Sequence, residues 1–74
     1  MNIDKNKIYD KLINSFISYQ YRLENPFPQP NESYDLMLLK FNSDYVFNAK
    51  VKGLACGVMH VIDEEISKQE LRHE

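Results

Sequence analysis

Apolar residues recur at intervals of three and four over the first part of the chain, with polar residues between them. The apolar set is Ile8, Tyr9, Leu12, Ile13, Phe16, Ile17 and Leu23. This spacing is typical of an amphipathic helix that turns one face to a core. Asp4 stands at the N-cap position, and Pro26 disfavours helical geometry in the residue before it. We therefore predict a helix over about residues 5–24.

The middle of the chain has the pattern of a connector followed by two strands. Residues 25–33 contain three alternating prolines, which fix φ and favour an extended connector. The segment YDLMLLKF (34–41) is apolar on both faces of an extended chain, as in a strand covered twice. After the turn residues NSD (42–44), the segment YVFNAKVK (45–52) alternates apolar and polar side chains. These features predict a β-hairpin.

The last third fits two interpretations. As one helix over about residues 54–72, it carries an apolar stripe of Ala55, Val58, Met59, Ile62 and Ile66. As a strand, residues 54–62 alternate passably and are rich in β-branched side chains. We prefer the helix, because the stripe crosses Asp63 without a break. The sequence thus predicts one small α+β domain over residues 1–74, in the order α-β-β-α, with α-β-β-β-α as the alternative.

Length and composition limit the class of protein. The chain has 74 residues, a net charge of −2 and a single cysteine. A domain of this size buries only about 60% of its unfolded surface, so a protein partner or a second copy, as in a homodimer, is expected to add stability. The lone cysteine and the absence of a long apolar segment indicate a cytoplasmic protein that does not enter the membrane.

Cys56 and His60 are the first candidates for chemistry, since residues four apart share a face of a helix. A zinc site needs three or four protein ligands, and His73 is the only other histidine. A nucleophilic cysteine also needs a polar setting that no motif here supplies. The acidic run 63–65 has the spacing of a solvated helix face. We expect no metal, no cofactor and no enzymatic activity.

Aromatic residues give the stronger functional signal. Nine of the 74 residues are Phe or Tyr, and tyrosine suits interfaces because its ring is apolar and its hydroxyl polar. Tyr19, Tyr21, Arg22 and Phe27 form the predicted partner-binding patch. The prediction is a small protein-binding module without catalysis. Its small size and its richness in residues with AT-rich codons motivate a narrower hypothesis, a phage or mobile-element inhibitor of a host defence protein.

A nucleic-acid-binding regulator is the alternative function. Lys40, Lys50 and Lys52 would form a modest basic strip along the predicted hairpin. The overall negative charge and the acidic run 63–65 weaken this alternative, because nucleic-acid binding depends on neutralising phosphates with cationic side chains. We therefore regard nucleic acid as the less favoured partner.

Overall fold

The protein is helical throughout the part of the chain that the structure describes. This computed structural model describes residues 3–27 and 32–71, which form α1 (Lys5–Glu24), α2 (Tyr34–Ser43) and α3 (Tyr45–Leu71). No strand occurs within those two ranges. The molecule is elongated, with dimensions of 54 × 21 × 20 Å. The predicted α+β fold with a β-hairpin is therefore wrong in both of its versions, and the observed fold is all-helical.

Helix α1 has the bounds that its periodicity predicts. Its first turn is capped by Asp4, whose side chain accepts a hydrogen bond from the Lys7 backbone N–H at 3.1 Å. Its last turn ends at Asn25, which donates to the Tyr21 carbonyl from both its backbone N–H and its side-chain amide. Pro26 follows directly, so the helix stops where helical geometry becomes unfavourable. Pro28 and Pro30 of the predicted connector lie outside the described residues.

The first predicted strand, residues 34–41, is helix α2. Met37 is buried and Leu38 and Phe41 pack beside it, while Leu36 and Leu39 face away from the core. A short apolar run does not show by periodicity alone whether it is a strand or a helix. Leucine and methionine favour a helix, and tertiary packing supplies a partner for only one side of it. The segment is therefore apolar on both faces because one face carries the buried Met37 and the other carries the exposed Leu36 and Leu39.

The second predicted strand, residues 45–52, is the beginning of helix α3. Phe47, Val51 and Ala55 are buried, and they follow one another at intervals of four. Residues four apart lie on the same side of a strand and on nearly the same side of a helix. The alternation therefore fits both structures, and the prediction of a strand was wrong. The same stripe continues along the rest of α3. The predicted helical segment is therefore helical as far as Leu71, and residues 54–62 are not a strand.

A single residue, Asp44, separates α2 from α3. Its backbone N–H donates to the Lys40 carbonyl at 2.8 Å and so closes α2. Its carboxylate accepts from the Phe47 backbone N–H at 3.1 Å and so caps the first turn of α3. The residues predicted as a hairpin turn therefore make a helix–helix corner.

Helices α1 and α3 are antiparallel, and α2 packs against both. Tyr21 meets Phe47 near one end of the pair, and Lys5 Nζ lies 2.9 Å from Asp63 Oδ1 towards the other. The buried cluster lies where all three helices meet and consists of Ile17, Met37, Phe47 and Val51. The core is thus small, and it lies towards the α2 end of the molecule.

Candidate protein-binding surface

The structure separates the four residues of the predicted partner-binding patch. Tyr19 and Arg22 are exposed on α1, and Phe27, just beyond the helix, is 85% exposed. Tyr21 instead packs against the buried cluster, and its ring meets that of Phe47 edge to face at 6.5 Å between centroids. Residues two apart on a helix point in nearly opposite directions, so Tyr21 does not lie beside Tyr19.

The hydroxyl of Tyr21 is tied to the segment that leads into α2. It donates to Glu32 Oε1 at 3.2 Å. Burial raises the pKa of Tyr21, the Glu32 carboxylate raises it further, and the Lys40 ammonium opposes both. The hydroxyl therefore stays protonated near neutral pH and serves as a donor that holds α1 to the start of α2.

An exposed apolar surface on α1 includes a residue that sequence reasoning assigned to the core. Leu23 is 61% exposed and lies one helical turn after Tyr19, which is 54% exposed. Tyr19 rests edge to face on half-buried Phe16, with ring centroids 6.1 Å apart. We call Tyr19 and Leu23, with Arg22 at their edge, the outer α1 surface. The sequence signal for the outer α1 surface is the width of the apolar stripe along α1. One side of that stripe is left uncovered by the other helices and stays exposed.

The three lysines of the predicted basic strip do not form one strip, and the charges of Lys40 and Lys50 both act on Glu24. Lys40 is on α2, with its ammonium 3.4 Å from Glu24 Oε1 and 5.0 Å from the centroid of the Phe47 ring. Lys50 and Lys52 are on α3, where two residues of separation turn their side chains about 160° apart. The strip depended on strand alternation, and the helix removes that alternation.

Glu24 completes the polar arrangement around Lys40. Gln20 is buried and donates to Glu24 Oε2 at 2.7 Å, while Lys40 pairs with the other carboxylate oxygen. The hydrogen bond from Gln20 lowers the pKa of Glu24, burial raises it, and Lys40 and Lys50 lower it further, so the net shift is downward. The charge of Lys40 is therefore directed at a residue of the protein itself.

Cys56 and His60 lie on the exposed side of α3. His60 Nε2 is 3.1 Å from Glu64 Oε1, and Cys56 is a free thiol close to the Tyr9 hydroxyl. Burial, followed by the neighbouring Cys56, raises the pKa of Tyr9. Within residues 3–27 and 32–71, no three His, Cys, Asp or Glu side chains come together as metal ligands would. His73 lies outside the described residues.

An open cleft of about 340 Å³ lies at the corner between α2 and α3. Its lining residues are Phe41, Asn42, Ser43, Asp44, Tyr45, Asn48 and Lys52. The Asp44 carboxylate already caps α3, and the Asn48 amide donates to the Phe41 carbonyl at 3.0 Å. Two of the polar groups in the cleft therefore stabilise the corner itself.

Comparison with protein-family models, with curated proteins and with solved structures found no match to this chain. Among the described residues, no helix combines the length and the apolar character needed to cross a membrane.

Proposed function

We propose that this chain is a non-catalytic module that binds another protein through the outer α1 surface. The observation that carries the proposal is the exposure of Tyr19 and Leu23, which lie one turn apart and extend a half-buried apolar stripe. Contiguous exposed apolar patches on small proteins are often interaction sites. Tyrosine and arginine are also enriched, with tryptophan, among binding hot spots.

The charges beside this surface define the chemistry of the partner. Lys11 and Arg22 lie eleven residues apart, three helical turns, and border the same edge of the apolar stripe. Both side chains are exposed, and no carboxylate within the described ranges forms an ion pair with either of them. We infer that the partner presents an amphipathic helix whose apolar face is bordered by carboxylates.

The proposal covers protein binding and a cytoplasmic location, the latter supported by the single cysteine of the chain. It includes neither a phage origin nor an inhibitory role, because nothing in the fold or the comparisons supports either. A nucleic-acid regulator is not proposed as a second function, since Lys40 pairs with Glu24, the charge of Lys50 also acts on Glu24, and Lys52 lies on another side of α3.

The test is a quantitative capture of partners from a lysate of the organism that encodes the chain. Tagged wild-type protein is compared with a Tyr19→Ser, Leu23→Ser double variant, after nuclease treatment, by mass spectrometry. We expect one stoichiometric protein on the wild type, reduced at least about tenfold on the double variant. Binding of the captured protein, once purified, is then measured with Arg22→Glu, which should weaken it by removing the cationic edge.

A matched control comes from the opposite side of α1. The Lys7→Ser, Asp10→Ser double variant also changes two exposed side chains and leaves the net charge unaltered. It should capture the partner as the wild type does, and circular dichroism should show equal helix content in all three proteins. Equal capture by both double variants would overturn the assignment of the outer α1 surface.

A further inference from the structure

The outward side of α3 carries a stripe that is symmetrical about Gly57. Its seven members are all exposed and lie on one side of the helix: Val46, Lys50, Gly53, Gly57, Val61, Glu64 and Lys68. Counted from Gly57, the other six stand four, seven and eleven residues away in each direction. We call this stripe the α3 face. It lies on a different helix from the outer α1 surface and shares no residue with it.

The chemistry of the α3 face is complementary across its centre. Lys50 stands seven residues before Gly57, and Glu64 stands seven residues after it. The Lys50 ammonium acts on Glu24 only through its charge and forms no ion pair within 4 Å of a carboxylate in the described part of the chain. Glu64 interacts with His60 through Oε1, and among residues 3–27 and 32–71 its other oxygen forms no ion pair. The face therefore presents Lys50 and Glu64 at equal distances from Gly57, while its second lysine, Lys68, pairs with Glu65.

Val61 and Gly53 follow the same symmetry, whereas the position opposite Val46 is Lys68. Val61 is 57% exposed and stands four residues after Gly57, while Gly53 stands four residues before it. A Cβ atom built on Gly53 or on Gly57 would meet no atom within 4 Å. The described part of the monomer therefore has no packing need for either glycine, although glycine inside a helix is about 1 kcal/mol less favourable than alanine. Two glycines one turn apart leave room for a second helix to approach closely.

We propose that the α3 face is the interface of a homodimer, with the two α3 helices antiparallel about a two-fold axis at Gly57. This axis places Lys50 of each copy opposite Glu64 of its partner copy, and it places Val61 of each copy over Gly53 of the other. Both interactions occur twice by symmetry. Parallel pairing would instead set Lys50 against its own counterpart and Glu64 against its own, so the charges select the antiparallel arrangement.

One helix pair of this length makes an interface smaller than the standard size of about 800 Å² per partner. The dimer is therefore expected to be weak and to dissociate on dilution. Association is measured by sedimentation equilibrium of the full chain over a wide concentration range. The wild type should show a reversible monomer–dimer equilibrium, and a strictly monomeric wild type would overturn the proposal.

Two charge reversals make the test specific. Lys50→Glu places two carboxylates opposite each other at both pairs of positions 50 and 64, and Glu64→Lys places two ammonium groups there. Each single variant should self-associate at least about tenfold more weakly than the wild type. An equimolar mixture of the two should recover association, because both pairs between positions 50 and 64 are oppositely charged in a mixed dimer. Failure of the mixture to recover association would contradict the antiparallel register.

Two further variants separate the interface from effects on folding. Lys52→Glu makes the same charge change on another side of α3 and should leave the dimerisation constant unchanged. Gly57→Leu should abolish association, since a bulky side chain at the axis keeps the helices apart, while the monomer remains at least as helical by circular dichroism. A dimer that tolerates Gly57→Leu would also overturn the proposal. None of these variants changes the outer α1 surface, so partner capture distinguishes a failure here from a failure of the proposed function.

Discussion

The Tyr21 ring stands nearly perpendicular to the Phe47 ring, at 84° and with 6.5 Å between centroids. These residues lie on α1 and α3, and Lys40 of α2 places its ammonium 5.7 Å from the first ring and 5.0 Å from the second. Edge-to-face aromatic pairs and cation–π contacts each add to the stabilisation that burial gives. All three helices are therefore joined at one aromatic contact, and Tyr21 is a structural residue.

Substitution of Tyr21 should show this structural role. Tyr21→Ala removes a half-buried ring from the aromatic contact, and we expect the free energy of unfolding to fall by about 2 kcal/mol. Tyr21→Phe keeps the ring and loses only the hydrogen bond to Glu32, so it should cost less than about 1 kcal/mol. Urea denaturation followed by circular dichroism measures both values. Equal losses for the two variants would show that the hydroxyl, and not the ring, stabilises the contact.

The corner between α2 and α3 should depend on the side chain of Asp44. Asp44→Ala removes the acceptor for the Phe47 backbone N–H, and we expect a loss of about 1 kcal/mol in the free energy of unfolding. Asp44→Asn keeps an oxygen acceptor and should retain most of the stability. Thermal or urea unfolding of the three proteins provides the comparison. An alanine variant as stable as the wild type would mean that the cap contributes nothing.

The pH dependence of stability should contain a contribution from Glu24. Its pKa in the folded protein is below the ordinary value of 4.5, because Gln20 and Lys40 favour the carboxylate. The stabilisation is therefore complete above that ordinary value and is lost as the pH falls through the lower folded pKa. Replacing Glu24 by Gln removes the titrating group. Between about pH 5 and pH 3, its stability should fall less steeply than that of the wild type, and parallel curves from urea titrations would contradict the prediction.

Substitution of Gly53 tests whether α3 has room for a side chain at this position. Because a Cβ at this position meets nothing within 4 Å, Gly53→Ala should raise the free energy of unfolding of the monomer by about 0.5 to 1 kcal/mol. The measurement is made at a dilution at which sedimentation shows only monomer. Ala49→Gly, an exposed change in the same helix, should lower stability by a similar amount. A destabilising Gly53→Ala would reveal an internal neighbour that the structure does not place there.

Local sequence signals identified α1 and the part of α3 from about residue 54 onward, and they failed for α2 and for the beginning of α3. Helix α1 has a cap at Asp4, a stop at Pro26 and a long periodic stripe, and these three signals agree. In α3 the buried positions Phe47 and Val51 are four residues apart, which fits a helix and a strand alike. The deciding signal was the continuity of that stripe with Ala55 and beyond, which makes one long helix. For α2, only contacts with the other helices show which side of the apolar run is buried.

The candidate surface was predictable in part. Tyr19, Arg22 and Phe27 are exposed, and their exposure follows from their places at the edge of the α1 stripe and after its end. Tyr21 lies off the main stripe, and the sequence gives no sign that α2 packs on that side of α1. Its contacts are made by a helix that was predicted to be a strand, so its burial required the tertiary structure.

The position of the buried cluster at the α2 end of the molecule gives α3 an uneven resistance to opening. Ala55 is the last fully buried residue in the described part of α3, and the residues up to Gln69 are half-buried or exposed. Local opening is easier where fewer apolar contacts must be broken. Amide hydrogens should therefore exchange slowest around Val51 and progressively faster towards the end of the helix. One continuous helix would thus combine a stable anchor with a region that opens on its own.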